Sequence, residues 1–365
     1  MGERKSPLAG VVKKMKNLEF YRDKRVFVTG HTGFKGSWLC AMLLMAGAKV
    51  TGYALPPIDE GICEIIGFEG RMRSIYGDIR DLAALQKAFD EAQPEIVFHL
   101  AAQPIVRESY RDPVGTYSTN VLGTVHLLEC VRQTESVRSL LNVTTDKVYE
   151  NRKWPWGYRE TDALNGFDPY ANSKSCSELA TMSYCSSFFA GRRLAVSTAR
   201  AGNVIGGGDF SADRIIPDCI RAVQAAKPIQ VRNPVSIRPY QHVLEPLSAY
   251  LLIAARQYED ASVAGSYNVG PDSCDCLTTG ELADLFCKAW GAPACWVHTG
   301  DNGPHEDAIL KLDCAKIRAK LSWQPRWHAD RAVAETVNWT KAWLDGKDMA
   351  DYTQKQIQLF LFEQL

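Results

Sequence analysis

Short apolar runs alternate with longer stretches of helical period along the first two hundred residues. Arg25-Val-Phe-Val-Thr29 is β-branched and apolar and ends at a glycine, which predicts a strand. Across residues 36–47, Trp38, Leu39, Met42, Leu43 and Met45 recur at helical spacing. A second strand is predicted over 48–55 and a shorter segment near Ile75 that closes on Gly77-Asp78. An amphipathic helix over 82–92, a buried strand over 95–100 and a long helix over 119–133 follow. A strand over 139–144, a helix over 174–189 and a strand over 194–199 complete the series. Strand and helix in strict turn predict an α/β fold: a Rossmann-type doubly wound parallel sheet covered on both faces.

Past about Arg200 the alternation weakens. Gly206, Gly207 and Gly208 and the prolines 217, 228, 234 and 239 interrupt it. The expected organisation is an N-terminal extension over 1–17, a nucleotide-binding domain over 18–200, and a smaller α/β substrate lobe over 201–345. That lobe is partly interleaved with the core, and a C-terminal tail spans 346–365.

Composition narrows the function. Lys+Arg and Asp+Glu are both 42, so the formal net charge is zero. A nucleic-acid or membrane-surface binder leans on positive charge, so neither is expected. No apolar run reaches membrane-spanning length, and 8–12 is too short and broken for a signal peptide. Eleven scattered cysteines, an odd number without zinc-ribbon or thioredoxin spacing, read as reduced thiols in a cytoplasmic protein. Cys274 and Cys276 read likewise as unpaired thiols, and no metal site is expected.

Two motifs carry chemistry. Gly30-His-Thr32-Gly33-Phe34-Lys35-Gly36 follows a predicted strand and opens a predicted helix. Glycines there permit a tight turn and close approach of a pyrophosphate to the helix N-terminus. Asp78 with Ile79, and Leu100-Ala101-Ala102, end later strands where a dinucleotide would pass. The second strand ends in Gly52-Tyr53-Ala54-Leu55, without the acidic residue that usually binds the ribose hydroxyls. NAD is expected over NADP, held weakly. Tyr170 and Lys174 lie four apart on one helical face, where the ammonium is expected to lower the tyrosine pKa and make it a general base.

Together Gly30/Gly33/Gly36, Asp78, Leu100-Ala-Ala, Asn120, Thr145 and Tyr170/Lys174 resemble the extended short-chain dehydrogenase/reductase family over residues 20–345. The resemblance implies a Thr145–Tyr170–Lys174 catalytic triad, with Thr145 on the sugar 4-hydroxyl and Lys174 also on the nicotinamide ribose. It implies NAD as cofactor, a nucleotide-sugar substrate, and a homodimer or homotetramer built on the helices at 119–133 and 174–189. Thr144-Thr145-Asp146-Lys147-Val-Tyr149 is similar to the segment of nucleotide-sugar 4,6-dehydratases that supplies an acid for the departing 6-hydroxyl, the role expected of Asp146. Most such enzymes carry glutamate where Lys147 stands. Neutral Lys147, or a relay through it, is the expected base at carbon 5. The strings 146–160, 200–209 and 238–246 resemble the branch acting on CDP-glucose.

Gln103, Asn203, Arg214, Arg232, Arg238 and His305 are the candidate substrate contacts; the arginines suit a diphosphate. Trp154, Trp156 and Tyr158 read as packing, and His242 as a structural hydrogen-bonding residue. The competing readings are another nucleotide-sugar 4,6-dehydratase, a 4-epimerase, disfavoured by Asp146, and a non-catalytic NAD-binding sensor, disfavoured by the intact Tyr170/Lys174 pair.

Overall fold

The computed structural model describes residues 18–57, 61–300 and 309–362. The extension at 1–17 and the candidate His305 lie outside the described residues. Seven strands form the central sheet: β1 (Arg25–Thr29), β2 (Lys49–Ala54), β3 (Arg73–Tyr76), β4 (Ile96–His99), β5 (Ser139–Val143), β6 (Ala195–Arg200) and β7 (Ser266–Asn268). Every pairing is parallel, in the order β7-β6-β5-β4-β1-β2-β3. The order reverses at β1 and β4, where Val26 faces both Val50 and Ile96. Open α/β sheets bind ligands outside the carboxyl ends of their strands at such a reversal.

β1 is buried from Val26 to Thr29 and continues into the helix Phe34–Met45. Residues Gly36 to Leu43 of that helix are all buried. The helices Leu244–Glu259 and Met349–Phe362 also pack against it, which explains its nearly continuous apolar sequence. The helix predicted over 36–47 thus starts and ends two residues earlier. The helix predicted over 119–133 begins at Pro113, passes through a π-helical turn at Ser118–Leu122 and continues as Gly123–Gln133. The helix predicted over 174–189 begins at Pro169, where Asp168 caps it by accepting from Ala171 N–H at 2.8 Å, and ends in a π turn at Cys185–Phe189.

Beyond β6 the chain builds a second apolar cluster from Ile216, Ile220, Leu282, Phe286, Val333 and Val337. It also returns to the sheet: Leu244–Glu259 packs on β5 and β6, and β7 pairs with β6. Trp38 closes the seam, donating from Nε1 to Gly207 O at 3.0 Å. Only glycine fits at 207, because a β-carbon there would lie 2.1 Å from the ring of Trp339. All eleven cysteines are unpaired. Among the described residues no helix is long and apolar enough to cross a membrane.

Candidate active site

The turn after β1 is tightened by necessity. Gly30 has φ +75°, and a β-carbon on it would lie 2.8 Å from Ala101 N. One on Gly36 would lie 2.0 Å from Gly30 O. Gly33 has no such neighbour and no side chain caps the amides it precedes, so the helix start presents bare N–H groups. Such a terminus suits a pyrophosphate. Thr32 is spent on Leu55 O at 3.1 Å, and Leu100 N and Ala101 N both donate to Thr29 Oγ1.

His31 leaves no room for a side chain at position 52, near the end of β2. Its buried imidazole fills the space over Gly52, 2.3 Å from where a β-carbon would stand, and burial pushes its pKa down to about 4. Asp78 receives the guanidinium and backbone N–H of Arg80, which hold its carboxyl below the usual range. Ile79 is buried beneath Gly123. Asn120 accepts from Gln103 N at 2.8 Å and donates to Gln103 O and Ser173 Oγ. Gln103 spends its own side chain on Thr116 and Ile105. These two amides brace the loop after β4, and Gln103 does not line the substrate cavity as expected, because its groups are already paired within the loop.

Four of the five catalytic candidates, Thr145, Asp146, Lys147 and Tyr170, line one cavity at the carboxyl end of the sheet, together with Lys35 of the glycine turn; Lys174 does not line it. Thr145 Oγ1 donates to Asp146 Oδ1 at 3.0 Å. Asp146 Oδ2 is buried without a hydrogen-bond partner. Burial raises the Asp146 pKa, while Lys147, Thr145, Arg238 and Lys35 pull against it. That is the expected opposition, with burial prevailing.

Tyr170 departs from expectation. Burial pushes it up to about 12, against the opposing hydrogen bond with Thr145 and the charge of Arg214. The expected lowering by Lys174 is not what governs it: Lys174 Nζ donates to Val143 O at 2.9 Å, and its own pKa is pushed down by burial to about 8. Desolvation governs both shifts.

Behind Thr145 stands a buried ion pair. Glu178 accepts Arg200 Nε at 3.0 Å on one oxygen and Arg200 Nη2 at 2.9 Å on the other. It also receives Thr144 Oγ1 at 2.5 Å and Thr198 Oγ1 at 2.7 Å, while Arg200 Nη1 donates to Tyr149 OH. Every lone pair is answered, so the loop carrying Thr145 is anchored to β6 and to the helix that starts at Pro169.

On the lobe side Asn203, Arg214, Arg232 and Arg238 line the same cavity. Asn203 holds φ +46° and its Nδ2 is buried without a partner, a donor free for a ligand. Arg214 pairs with buried Asp209 at 2.9 Å, and Arg232 with Asp213 at 3.5 Å. Sequence reasoning missed Arg107, which also lines the cavity and reaches Asp213 at 3.6 Å. Its signal was position alone, just past the carboxyl end of β4. Tyr158 stacks on Tyr149, which lines the cavity, and on Trp154 behind it; neither Trp154 nor Tyr158 lines the cavity itself. His242 sits on a strand between Trp38 and Trp327, accepts Leu244 N–H at 3.3 Å, and is otherwise packed against rings.

A glycine-tight strand-to-helix turn beside a Thr–Tyr–Lys centre defines a Rossmann-type enzyme of the extended short-chain dehydrogenase/reductase class. The chain belongs to the GDP-mannose 4,6 dehydratase family, whose profile matches residues 27–336. It is 47% identical over 354 residues to the CDP-glucose 4,6-dehydratase of Salmonella typhimurium, covering 95% of this chain and 99% of that one. An epimerase of Methanothermobacter thermautotrophicus shares the fold with TM-score 0.81 at 22% identity, over 94% of this chain and 97% of that one. So does the dTDP-glucose 4,6-dehydratase of Bacillus anthracis, solved in complex with NAD, with TM-score 0.74 at 21% identity over 89% and 99%.

Proposed function

We propose that this enzyme dehydrates CDP-glucose to CDP-4-keto-6-deoxyglucose by internal hydride transfer through bound NAD, for deoxysugar biosynthesis. The observation that carries the reading is Asp146: a buried carboxyl, raised in pKa and with one oxygen unpaired, beside Thr145 in the cavity. A 4-epimerase has no use for such an acid. The 47% identity to a CDP-glucose 4,6-dehydratase over nearly the whole of both chains supports the nucleotide.

The glycine turn, Asp78, the backbone at Leu100–Ala102 and Lys174 are the groups that would hold NAD, and the uncapped helix start fits its pyrophosphate. NAD, when bound, supplies the two-electron chemistry and a positive ring charge that favours ionisation of the Tyr170 phenol. Thr145 hydrogen-bonds the sugar 4-hydroxyl and Tyr170 takes its proton. Lys147 removes the proton at carbon 5, which the 4-ketone has acidified. Asp146 gives its proton to the departing 6-hydroxyl. Asn203, Arg107, Arg214, Arg232 and Arg238 hold the diphosphate, for which the cavity offers more cations than one substrate carboxylate could use.

A cytoplasmic homodimer or homotetramer completes the reading. Leu122, Leu179, Met182 and Phe188 are exposed on the two long helices, as a helical subunit contact requires. The test is mass spectrometry of CDP-glucose, UDP-glucose, dTDP-glucose and UDP-N-acetylglucosamine incubated with enzyme and NAD. Loss of one water from CDP-glucose alone supports the reading; loss from another donor overturns the nucleotide.

A further inference from the structure

Away from the cavity, three side chains of different chemistry converge where the substrate lobe folds over itself. Cys274 and Asp275 stand in the 3₁₀ turn Ser273–Asp275, and His328 immediately precedes the helix Ala329–Leu344. Asp275 is buried, and the other two are exposed. His328 Nδ1 lies 2.9 Å from Asp275 Oδ2, and Cys274 Sγ lies 3.7 Å from the same oxygen. One ligand atom from each residue falls within 4.8 Å of the others, which makes this the one such cluster among the described residues.

These separations suit a tetrahedral ion. Bonds of about 2.3 Å to sulfur and about 2.0–2.1 Å to nitrogen and oxygen set neighbouring donors roughly 3.3–3.5 Å apart. The observed distances bracket that value. The buried carboxylate is already oriented: its Oδ1 accepts Ala329 N–H at 2.8 Å, the kind of outer hydrogen bond that fixes a ligand in a built metal site. A thiolate with an imidazole selects a zinc-class cation, since calcium and magnesium take oxygen donors.

We propose that Cys274, Asp275 and His328 bind one divalent transition-metal cation of the zinc class, with water on the exposed side. Binding releases the thiol proton to solvent, and the imidazole proton where His328 carries one. The ion ties the turn to the helix Ala329–Leu344. That turn runs directly into the strand Cys276–Thr278, which pairs with Ile237–Pro239 and so backs Arg238 at the cavity wall. The bound ion is a structural clip for the substrate lobe and takes no part in the reaction. Fifty-three residues separate Asp275 from His328, so the cysteine spacing by itself gives no hint of the site.

The test is titration of cobalt(II) alone into chelator-stripped full-length protein, followed by near-ultraviolet absorption. One equivalent should produce a thiolate-to-cobalt charge-transfer band that zinc(II) displaces. Cys274→Ser should abolish the band, and His328→Gln should weaken binding at least ~10-fold. Zinc should raise the Tm of the wild type and leave that of Cys274→Ser unchanged. Both altered side chains are exposed, so the variants keep the fold, and dehydration by the stripped variants should match that of the stripped wild type. Absence of the band, or its persistence in Cys274→Ser, overturns the proposal.

Discussion

Gly202 faces Asp146 so closely that a β-carbon at 202 would stand 2.0 Å from the carboxyl carbon and from Oδ2. The missing side chain is therefore the space in which the carboxyl proposed as the acid sits. Gly202→Ala must push Asp146 out of line with Thr145, whereas Asp146→Asn keeps the shape and removes the proton. Both variants should lower kcat by about 10²- to 10⁴-fold, the usual worth of a general acid, with KM nearly unchanged. Steady-state kinetics decides; full activity in either variant removes Asp146 from the mechanism.

Arg107 and Arg232 share one carboxylate, Asp213, at 3.6 and 3.5 Å across the cavity. A diphosphate offers both guanidiniums a stronger acceptor. Loss of a charge-assisted hydrogen bond costs about 1.5–3 kcal/mol. Arg107→Ala should accordingly raise KM for the nucleotide sugar by about 10- to 100-fold and leave kcat within a few-fold. A change in kcat without a change in KM would move Arg107 out of substrate binding.

Lys174 illustrates function held at the expense of stability. Burial lowers its pKa from 10.5 to about 8. Keeping that ammonium charged near neutral pH costs the fold about 3 kcal/mol. Lys174→Met removes this cost and loses the hydrogen bond to Val143 O, worth about 1 kcal/mol. The variant should be inactive yet more stable by about 2 kcal/mol in denaturant unfolding at neutral pH. A destabilised variant would show that the ammonium is better solvated than its burial indicates.

Glu245 supplies a pH signature outside the active site. It is fully buried, accepts Arg326 N and Trp327 N on Oε1, and leaves Oε2 without a partner. Burial raises its pKa from 4.5 to about 7. Its folded pKa lies above its unfolded one, so its contribution is fully present below about 4.5 and is lost as pH rises through about 7. That loss amounts to about 3 kcal/mol. Glu245→Gln should flatten the decline, which unfolding curves at about pH 5 and about pH 8 would measure. An unchanged slope in the variant would contradict the assignment.

Much of this was legible in the chain. The strands 25–29, 139–143 and 195–200 stand where short apolar runs put them, because a central parallel sheet buries both faces, and the helix 82–92 stands where helical apolar spacing put it, with Leu85, Ala88 and Phe89 on one buried face. The glycine turn was legible because Gly30 and Gly36 answer to backbone geometry alone. The π turn at Ser118–Leu122 was not, since a helix pattern does not encode a wide turn. Gln103 has the right residue type, yet Thr116 and Ile105 satisfy it, and only coordinates reveal such pairing. Tyr170 and Lys174 were found by spacing, whereas the sign of the Tyr170 shift depends on desolvation that spacing does not carry. Arg107 and the Cys274–Asp275–His328 cluster arise from contacts between distant segments.

The central claim is internal hydride transfer coupled to loss of the 6-hydroxyl. The most direct measurement is mass spectrometry and proton NMR of the product from CDP-glucose deuterated at carbon 4, incubated with the enzyme and unlabelled NAD. The account predicts a product lighter by one water that keeps the deuterium, now on carbon 6. A product of unchanged mass with an inverted 4-hydroxyl, or a dehydrated product that has lost its label to the medium, would contradict it.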